Sequence, residues 1–523
     1  MLENKVTPRD IDFTSHLFPP SVPAHVSNST HLNFSWDPRD DFHTYGMEWN
    51  ASTLTWWVDG TVVKTEPAGI FAKGHPMDVA LSFGLRPPLR DAPNATGFPT
   101  SFLVDYVRVY QREEEAPIDD LCGASGDPAA GCAPNDANVP MPLYLVPKAK
   151  ADARGAVCLD GTPPGYYFQA AQAPSKSTSW VLYFKGGGWC YDEDECASRA
   201  KTVIGSSTLF APNFSFSGIM DSTAAVNPTF SSFNRAILWY CDGASFSGDR
   251  TAPYHHKPTN QTLYFRGRRV LEVLIDELIE RRVLGDATDV LVAGGSAGGL
   301  ATFLHADRVA ELLRDRGVPV RRLKAVPVSG FFLMHDDRSG APTWPDQMKY
   351  VATMQNATGG LNRACVAAQP STEAWRCIFA NYSYAYSATP MFPLQSTFDS
   401  WQLGNIWRAD EDCGASNFEN CTRAAVDRLN AYRASMLADL GVGYFARGKS
   451  QRPGEGGFVE TCYEHVAAQG AHFDRYALRG VVERDALGKW WDAPATAAAK
   501  EHWYLPCKLS EVAPHQCMPT CGA

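Results

Sequence analysis

Val290-Leu291-Val292-Ala293-Gly294-Gly295-Ser296-Ala297-Gly298 is the stretch on which the reading of this chain turns. Its four leading apolar residues predict a short buried strand. After Gly298, the residues Leu300, Phe303, Leu304, Val309, Leu312 and Leu313 fall on roughly one face of a helix. Between strand and helix lies Gly-x-Ser-x-Gly, in the setting that lifts a serine hydroxyl clear of a parallel sheet for nucleophilic attack. So sharp a turn forces unusual backbone angles at the serine and close strand–helix approach, which glycine tolerates. The bland alternative is a glycine-rich turn with no chemistry. The flanking strand and helix favour a serine hydrolase.

At 523 residues the chain has room for about two to four domains. Hydrophobic residues make up 45% and aromatics 12%, enough for sizeable cores and too many for a disordered chain. The net charge of -10 argues against nucleic acid as the main partner. No apolar run approaches the roughly 20 residues of a membrane helix, so no span is expected. A monomer is expected. The fourteen cysteines include close pairs, Cys122/Cys132, Cys190/Cys196, Cys365/Cys377 and Cys413/Cys421. Cys-x-x-Cys pairs with nearby histidines are missing, so disulfides in an oxidising compartment read better than a metal site. Nine Asn-x-Ser/Thr sequons, beginning at Asn28, Asn33, Asn50, Asn94, Asn213, Asn260, Asn356, Asn381 and Asn420, agree with secretion to the cell exterior or cell wall. Met1-Leu2-Glu3-Asn4-Lys5 does not read as a signal peptide, so the expectation is that a leader is missing, or that the chain is a fragment or an incomplete gene product.

Residues 1–110 read as all-β, with short Thr-, Val- and aromatic-rich runs broken by turn signals. Leu54-Thr55-Trp56-Trp57-Val58, Asp59-Gly60 and Thr61-Val62-Val63 predict a hairpin. A β-prone run at 102–110 predicts a last strand. Residues 111–140 read as a linker, rich in Pro, Gly, Asp and Ala and carrying Glu113-Glu114-Glu115. From 141 to 523 strands and helices alternate. Strands are predicted at 180–184, 236–240, 290–293, 324–328 and 391–396, with helices at 267–284 and 298–314. That alternation predicts a mostly parallel sheet with helices on both faces.

Acyl transfer needs a nucleophile, a base, a group that orients the base, and donors for the developing oxyanion. Ser296 is the candidate nucleophile, and the backbone N–H of Ala297 is one candidate donor. A second donor is expected from Lys185-Gly186-Gly187-Gly188-Trp189-Cys190, where a strand runs into three glycines. The acid and base should follow in the order Ser, Asp, His. Asp399 lies just past the strand at 391–396, where such sheets place functional groups, with Asp336 and Asp337 as competitors. His465 lies in a late glycine-rich loop beside Cys462, with His472 close by. His305, on the helix after Ser296, reads as a packing residue. No cofactor or metal is expected.

From Cys158 onward the sequence resembles the pectin acetylesterases, a family that includes the animal Notum carboxylesterases; the likeness extends over about residues 136–523. It rests on several blocks in order: Cys158-Leu159-Asp160-Gly161-Thr162-Pro163-Pro164-Gly165, Gly186-Gly187-Gly188-Trp189-Cys190 with Cys196-Ala197-Ser198-Arg199, Tyr240-Cys241-Asp242-Gly243-Ala244-Ser245, Tyr264-Phe265-Arg266-Gly267, Gly295-Ser296-Ala297-Gly298-Gly299 and Phe398-Asp399-Ser400-Trp401-Gln402. The resemblance implies an α/β-hydrolase-like fold and a triad of Ser296, Asp399 and His465. It also implies oxyanion donors from Gly188 or Trp189 and from Ala297, and disulfides Cys158–Cys241 and Cys190–Cys196. The activity implied is removal of O-acetyl groups from an acetylated, pectin-type cell-wall polysaccharide. A Notum-like lipid deacylase is the alternative, and a non-catalytic carbohydrate-binding protein is a third reading. The chain departs from the family at Lys185, where Glu is usual, and at Val466, where Cys is usual. Val328-Ser329-Gly330-Phe331-Phe332 likewise replaces the usual Asp-Ala/Ser-Gly before two aromatics.

Residues 1–110 resemble the C-terminal half of a family-16 glycoside hydrolase jelly roll. The carriers are Phe34-Ser35-Trp36-Asp37-Pro38, Tyr45-Gly46-Met47-Glu48-Trp49, Trp57-Val58-Asp59-Gly60 and the run at 102–110. That family cleaves glycosides with two glutamates in a Glu-x-Asp-x-x-Glu strand, which this segment lacks. A partial, non-catalytic β-sandwich is expected there.

Overall fold

Buried parallel strands are apolar on both faces, and Asp289–Gly295 is one. In the computed structural model Val290 and Val292 pack into the core on one face of the sheet, Leu291 and Ala293 into the core on the other. The structure describes residues 2–4, 10–17, 26–33, 44–49, 53–67, 138–171, 174–408, 421–441, 454–470, 472–494, 502–504 and 518–522. Contacts divide the chain into two units, Met1–Ala124 and Ser125–Ala523.

The second unit holds a ten-stranded sheet. In chain order its strands are β1 (Met141–Leu145), β2 (Gly165–Gln169), β3 (Ser179–Phe184), β4 (Asn213–Phe214), β5 (Asn234–Leu238), β6 (Asp289–Gly295), β7 (Arg322–Val328), β8 (Leu394–Ser396), β9 (Gly457–Glu460) and β10 (His502–Tyr504). Their spatial order is β4-β1-β2-β5-β3-β6-β7-β8-β9-β10. From β5 to β10 every pairing is parallel; β4, β1 and β2 add an antiparallel edge. Helices α1 (Gly267–Arg281) and α2 (Ala297–Asp315) pack on one face, and α3 (Glu483–Asp492) buries Leu487, Trp490 and Trp491 against the other. The mostly parallel sheet with helices on both faces is what the alternation predicts, and the α/β-hydrolase-like fold is what the resemblance implies.

The chain passes from β3 to β5 on one side and then crosses to β6 on the other. Strand order therefore reverses between β3 and β6, and the C-terminal ends at such a switch point are where sheets of this kind form a ligand crevice. Small residues let α2 reach that point. A Cβ on Gly298 would meet the carbonyl oxygen of Phe184, and one on Gly299 that of Val328.

Predicted bounds shift where local chemistry intervenes. The strand expected at 391–396 is split. Met391 bridges to Ala325, Pro393 interrupts because it has no N–H to donate, and pairing resumes at Leu394. The helix expected at 267–284 ends at Arg281, because Val283 adopts a left-handed conformation, φ 55°, before a 3-10 turn at Leu284–Asp286. Four disulfides lie among the described residues: Cys158–Cys241, Cys190–Cys196, Cys365–Cys377 and Cys462–Cys521. Cys122, Cys132 and Cys413 fall outside those residues.

The first unit holds two three-stranded antiparallel sheets. One comprises Leu2–Asn4, Asp10–Leu17 and Val26–Asn33, the other Tyr45–Trp49, Thr53–Val58 and Thr61–Pro67. The predicted hairpin turns on Asp59 and Gly60, both at positive φ (47° and 78°), as a two-residue turn between twisted strands requires. Leu54, Trp56 and Val58 alternate inward. The strand predicted at 102–110 and most of the linker lie outside the described residues.

Candidate active site

Three distant sequence positions meet at the crevice. Ser296 follows β6 directly and keeps a partly open side chain at φ 59°, ψ -127°, a strained conformation for a residue with a Cβ. Asp399 lies three residues beyond β8 and is fully buried. His465 lies five residues beyond β9. Its Nε2 is 2.9 Å from Ser296 Oγ, and its Nδ1 is 2.8 Å from Asp399 Oδ2. The tautomer satisfying both contacts donates Nδ1–H to the carboxylate and leaves Nε2 to accept the serine O–H.

The imidazole loop is held at several points. Ser400 N–H donates to Glu464 O (3.2 Å), Val466 N–H donates to Ser329 Oγ (2.9 Å), and Cys462–Cys521 closes behind it. Asp399 is itself fixed by Gln402 N–H donating to Oδ1 (3.0 Å). Burial pushes the His465 pKa down, but the adjacent Asp399, by charge and hydrogen bond, and then Glu464 outweigh it, so the net shift is upward from 6.5.

Gly186, Gly187, Gly188 and Trp189 run over the nucleophile turn. A Cβ on Gly186 would lie 2.9 Å from Ser296 Cβ and 3.3 Å from Ala297 N. Ala297 opens α2, so its N–H has no intrahelical acceptor. Among the described residues the N–H groups of Gly188 and Trp189 also have no hydrogen-bond partner. Beside His465 stands an aromatic wall. Phe332 and Trp401 lie 6.1 and 6.4 Å from its ring, Trp189 packs on both (4.8 and 5.6 Å), and Trp344 packs on Trp189 at 5.2 Å.

The competing candidates lie in other settings. His305 is buried on α2, its Nε2 2.8 Å from Ser245 O, with its pKa lowered to about 4 chiefly by burial. Asp337 accepts from Ser339, Ala341 and Thr343 within its own turn, and Asp336 is exposed. His472 stacks on Tyr476 at 4.6 Å. Three further residues bear on the site without a sequence signal of their own. Arg199, Tyr240 and Ser245 sit in sequence blocks that look like scaffold, yet they bond to the glycine loop. Residue type gives no signal for contacts made through backbone carbonyls.

The fold and the ester hydrolases that share it define the class: this protein is a carboxylic ester hydrolase of α/β-hydrolase fold. The model of the family described as Pectinacetylesterase matches residues 134–511, and the chain belongs to that family. It is 32% identical over 381 residues to pectin acetylesterase 5 of Arabidopsis thaliana, covering 71% of this chain and 83% of that protein. It is 29% identical over 283 residues to palmitoleoyl-protein carboxylesterase Notum of Mus musculus, covering 52% of this chain and 53% of that one. Among solved structures, the Wnt deacylase Notum from Drosophila shares the fold at a TM-score of 0.56 and 23% identity, over 67% of this chain and 93% of that one. The glycosyl hydrolases family 16 model matches residues 15–86.

Proposed function

We propose that this protein removes O-acetyl groups from an acetylated, pectin-type polysaccharide outside the cell, by a Ser296–His465–Asp399 acyl-enzyme mechanism. The unbroken hydrogen-bond series from Ser296 Oγ through His465 to Asp399 carries the reading. Ser296 Oγ attacks the acetyl carbonyl carbon while His465 Nε2 takes its proton. The oxyanion is received by the N–H groups of Ala297 and of Gly188 or Trp189. The C–O bond to the sugar then breaks, and Nε2 returns the proton to the leaving sugar oxygen. Water, activated by the same imidazole, attacks the acetyl-serine and releases acetate. Asp399 holds the ring and balances its charge in both halves.

Two observations support acetyl and an acidic sugar. Trp189, Phe332 and Trp344 are buried and pack with Trp401 beside His465, and the volume they fill is unavailable to a long acyl chain. Lys185, next to the glycine loop, sits 5.7 Å over the Trp239 ring, and burial lowers its pKa. Among the described residues it has no carboxylate partner, and an anionic sugar placed beside it would favour the ammonium form that burial disfavours. Secretion is supported by four disulfides and by the sequons. No described helix is long and apolar enough to cross a membrane. We further propose that residues 1–110 are a non-catalytic partial β-sandwich joined through a linker at 111–140.

Rates on p-nitrophenyl esters of two to eight carbons test the acyl preference, with a steep fall beyond two or three carbons expected. A flat or rising profile would support the Notum-like reading. Ser296→Ala should lose several orders of magnitude on p-nitrophenyl acetate. Full retention would overturn the Ser296 mechanism, and failure of the wild-type protein to react with a fluorophosphonate probe would favour a carbohydrate-binding role.

A further inference from the structure

We propose that Arg199, Tyr240 and Ser245 are positioning residues that preset the oxyanion amides by fastening the glycine loop to the start of α2. The inference rests on the reading of Gly188, Trp189 and Ala297 as oxyanion donors.

Gly187 and Gly188 adopt φ of 151° and 63° and carry no Cβ, so the peptides of this loop have little to stop them from flipping. A flipped peptide would present a carbonyl where the reaction needs an N–H. The buried Arg199 guanidinium opposes that. Its Nη1 donates to Gly187 O (2.8 Å) and to Trp189 O (3.5 Å), and its Nη2 to Gly188 O (3.5 Å). In a trans peptide the C=O and the following N–H point in opposite directions. The Gly187 and Gly188 carbonyls drawn to one cation therefore turn the N–H groups of Gly188 and Trp189 the other way.

Tyr240 adds a second hold. Its hydroxyl donates to Gly188 O (2.8 Å) and accepts from Ser245 N–H (3.0 Å), while its ring lies 4.9 Å beneath the Arg199 guanidinium. Ser245 joins the two halves of the oxyanion site. Its Oγ accepts from Trp189 Nε1 (2.9 Å) and donates to Ala297 O (2.8 Å). Ser245 and Phe246 are consecutive non-glycine residues at positive φ, 51° and 60°. Such strain persists only where surrounding contacts impose it, and it clusters where geometry serves chemistry. Arg199 is placed by the short helix Glu193–Arg199, which the Cys190–Cys196 disulfide staples to the loop it holds.

Tyr240→Phe is the cleanest test, because it deletes one O–H and keeps the ring under Arg199. With p-nitrophenyl acetate, kcat should fall about 10- to 100-fold while KM stays within about twofold. Affinity for phenylboronic acid, which forms a tetrahedral adduct on the serine, should weaken by a similar factor, with Tm little changed. Ser245→Ala should behave alike. Arg199→Lys should recover part of the kcat that Arg199→Met loses. A Tyr240→Phe enzyme with wild-type kcat and boronate affinity would overturn the positioning role alone. So would one whose KM rises while kcat is kept. A wild-type protein that takes no fluorophosphonate would remove the Ser296 reading, and this inference with it.

Discussion

Replacing Asp399 by asparagine tests the triad at its least accessible member. Asp399 is fully buried, with Oδ1 taking Gln402 N–H and Oδ2 facing His465 Nδ1. In the Asp399→Asn variant the side chain has two orientations. If its oxygen faces Nδ1, the NH2 meets Gln402 N–H, and a buried donor is left unpaired at a cost of about 1–3 kcal/mol. At 1.4 kcal/mol per tenfold, that leaves roughly 1–15% of molecules in this orientation. The favoured orientation keeps Gln402 satisfied and aims the NH2 at Nδ1. Nδ1 must then accept, and the ring proton moves to Nε2, where it faces the serine and cannot take its proton. Loss of the carboxylate's charge adds to this, so kcat/KM on p-nitrophenyl acetate should fall about 10³- to 10⁴-fold. The pH profile should change as well. The wild-type lower limb should lie above 6.5, since only neutral His465 can act as base and its pKa is raised. Without Asp399 burial prevails, and the limb should move to lower pH. A variant retaining more than about a tenth of the activity, or an unmoved limb, would refute the assignment of Asp399 as the orienting group.

Lys185→Met should raise KM on acetylated polygalacturonate severalfold while sparing p-nitrophenyl acetate; equal effects on both would remove its role toward anionic sugar. Glu483 is buried and its pKa is raised by burial to about 8 from 4.5, so the folded protein holds a proton there that the unfolded chain releases. Stability from this group is present below about 4.5 and is lost as pH rises through about 8, and Glu483→Gln should flatten the fall in Tm over that window. Gly299→Ala should cost about 1–3 kcal/mol or more in denaturant titration, since the new methyl meets Val328 O and Gly330.

Much of the second unit was legible because its strands are short apolar runs and its helices carry one apolar face. Ser296 announced itself through glycines that the close approach of Gly298 and Gly299 to β3 and β7 requires. Asp399 and His465 were harder. Spacing placed Asp399 past a strand end and His465 in a late glycine-rich loop; the geometry separates Asp399 from the turn-bound Asp337, and His465 from His472 stacked on Tyr476. The antiparallel edge of β4, β1 and β2 left no mark, since a two-residue strand such as Asn213–Phe214 has no periodicity to read. Arg199 was equally silent: it lies in a block that carries the resemblance, but its residue type says nothing of the carbonyls it holds.

The Cys462–Cys521 bridge spans 59 residues and fastens one end of the imidazole loop to a segment far along the chain from any reacting atom. The proton carrier is therefore moored from outside the sheet. A deletion that removes Cys521 alone takes this mooring away while leaving Ser296, Asp399 and His465 unchanged in sequence, so the defect would lie outside the crevice residues.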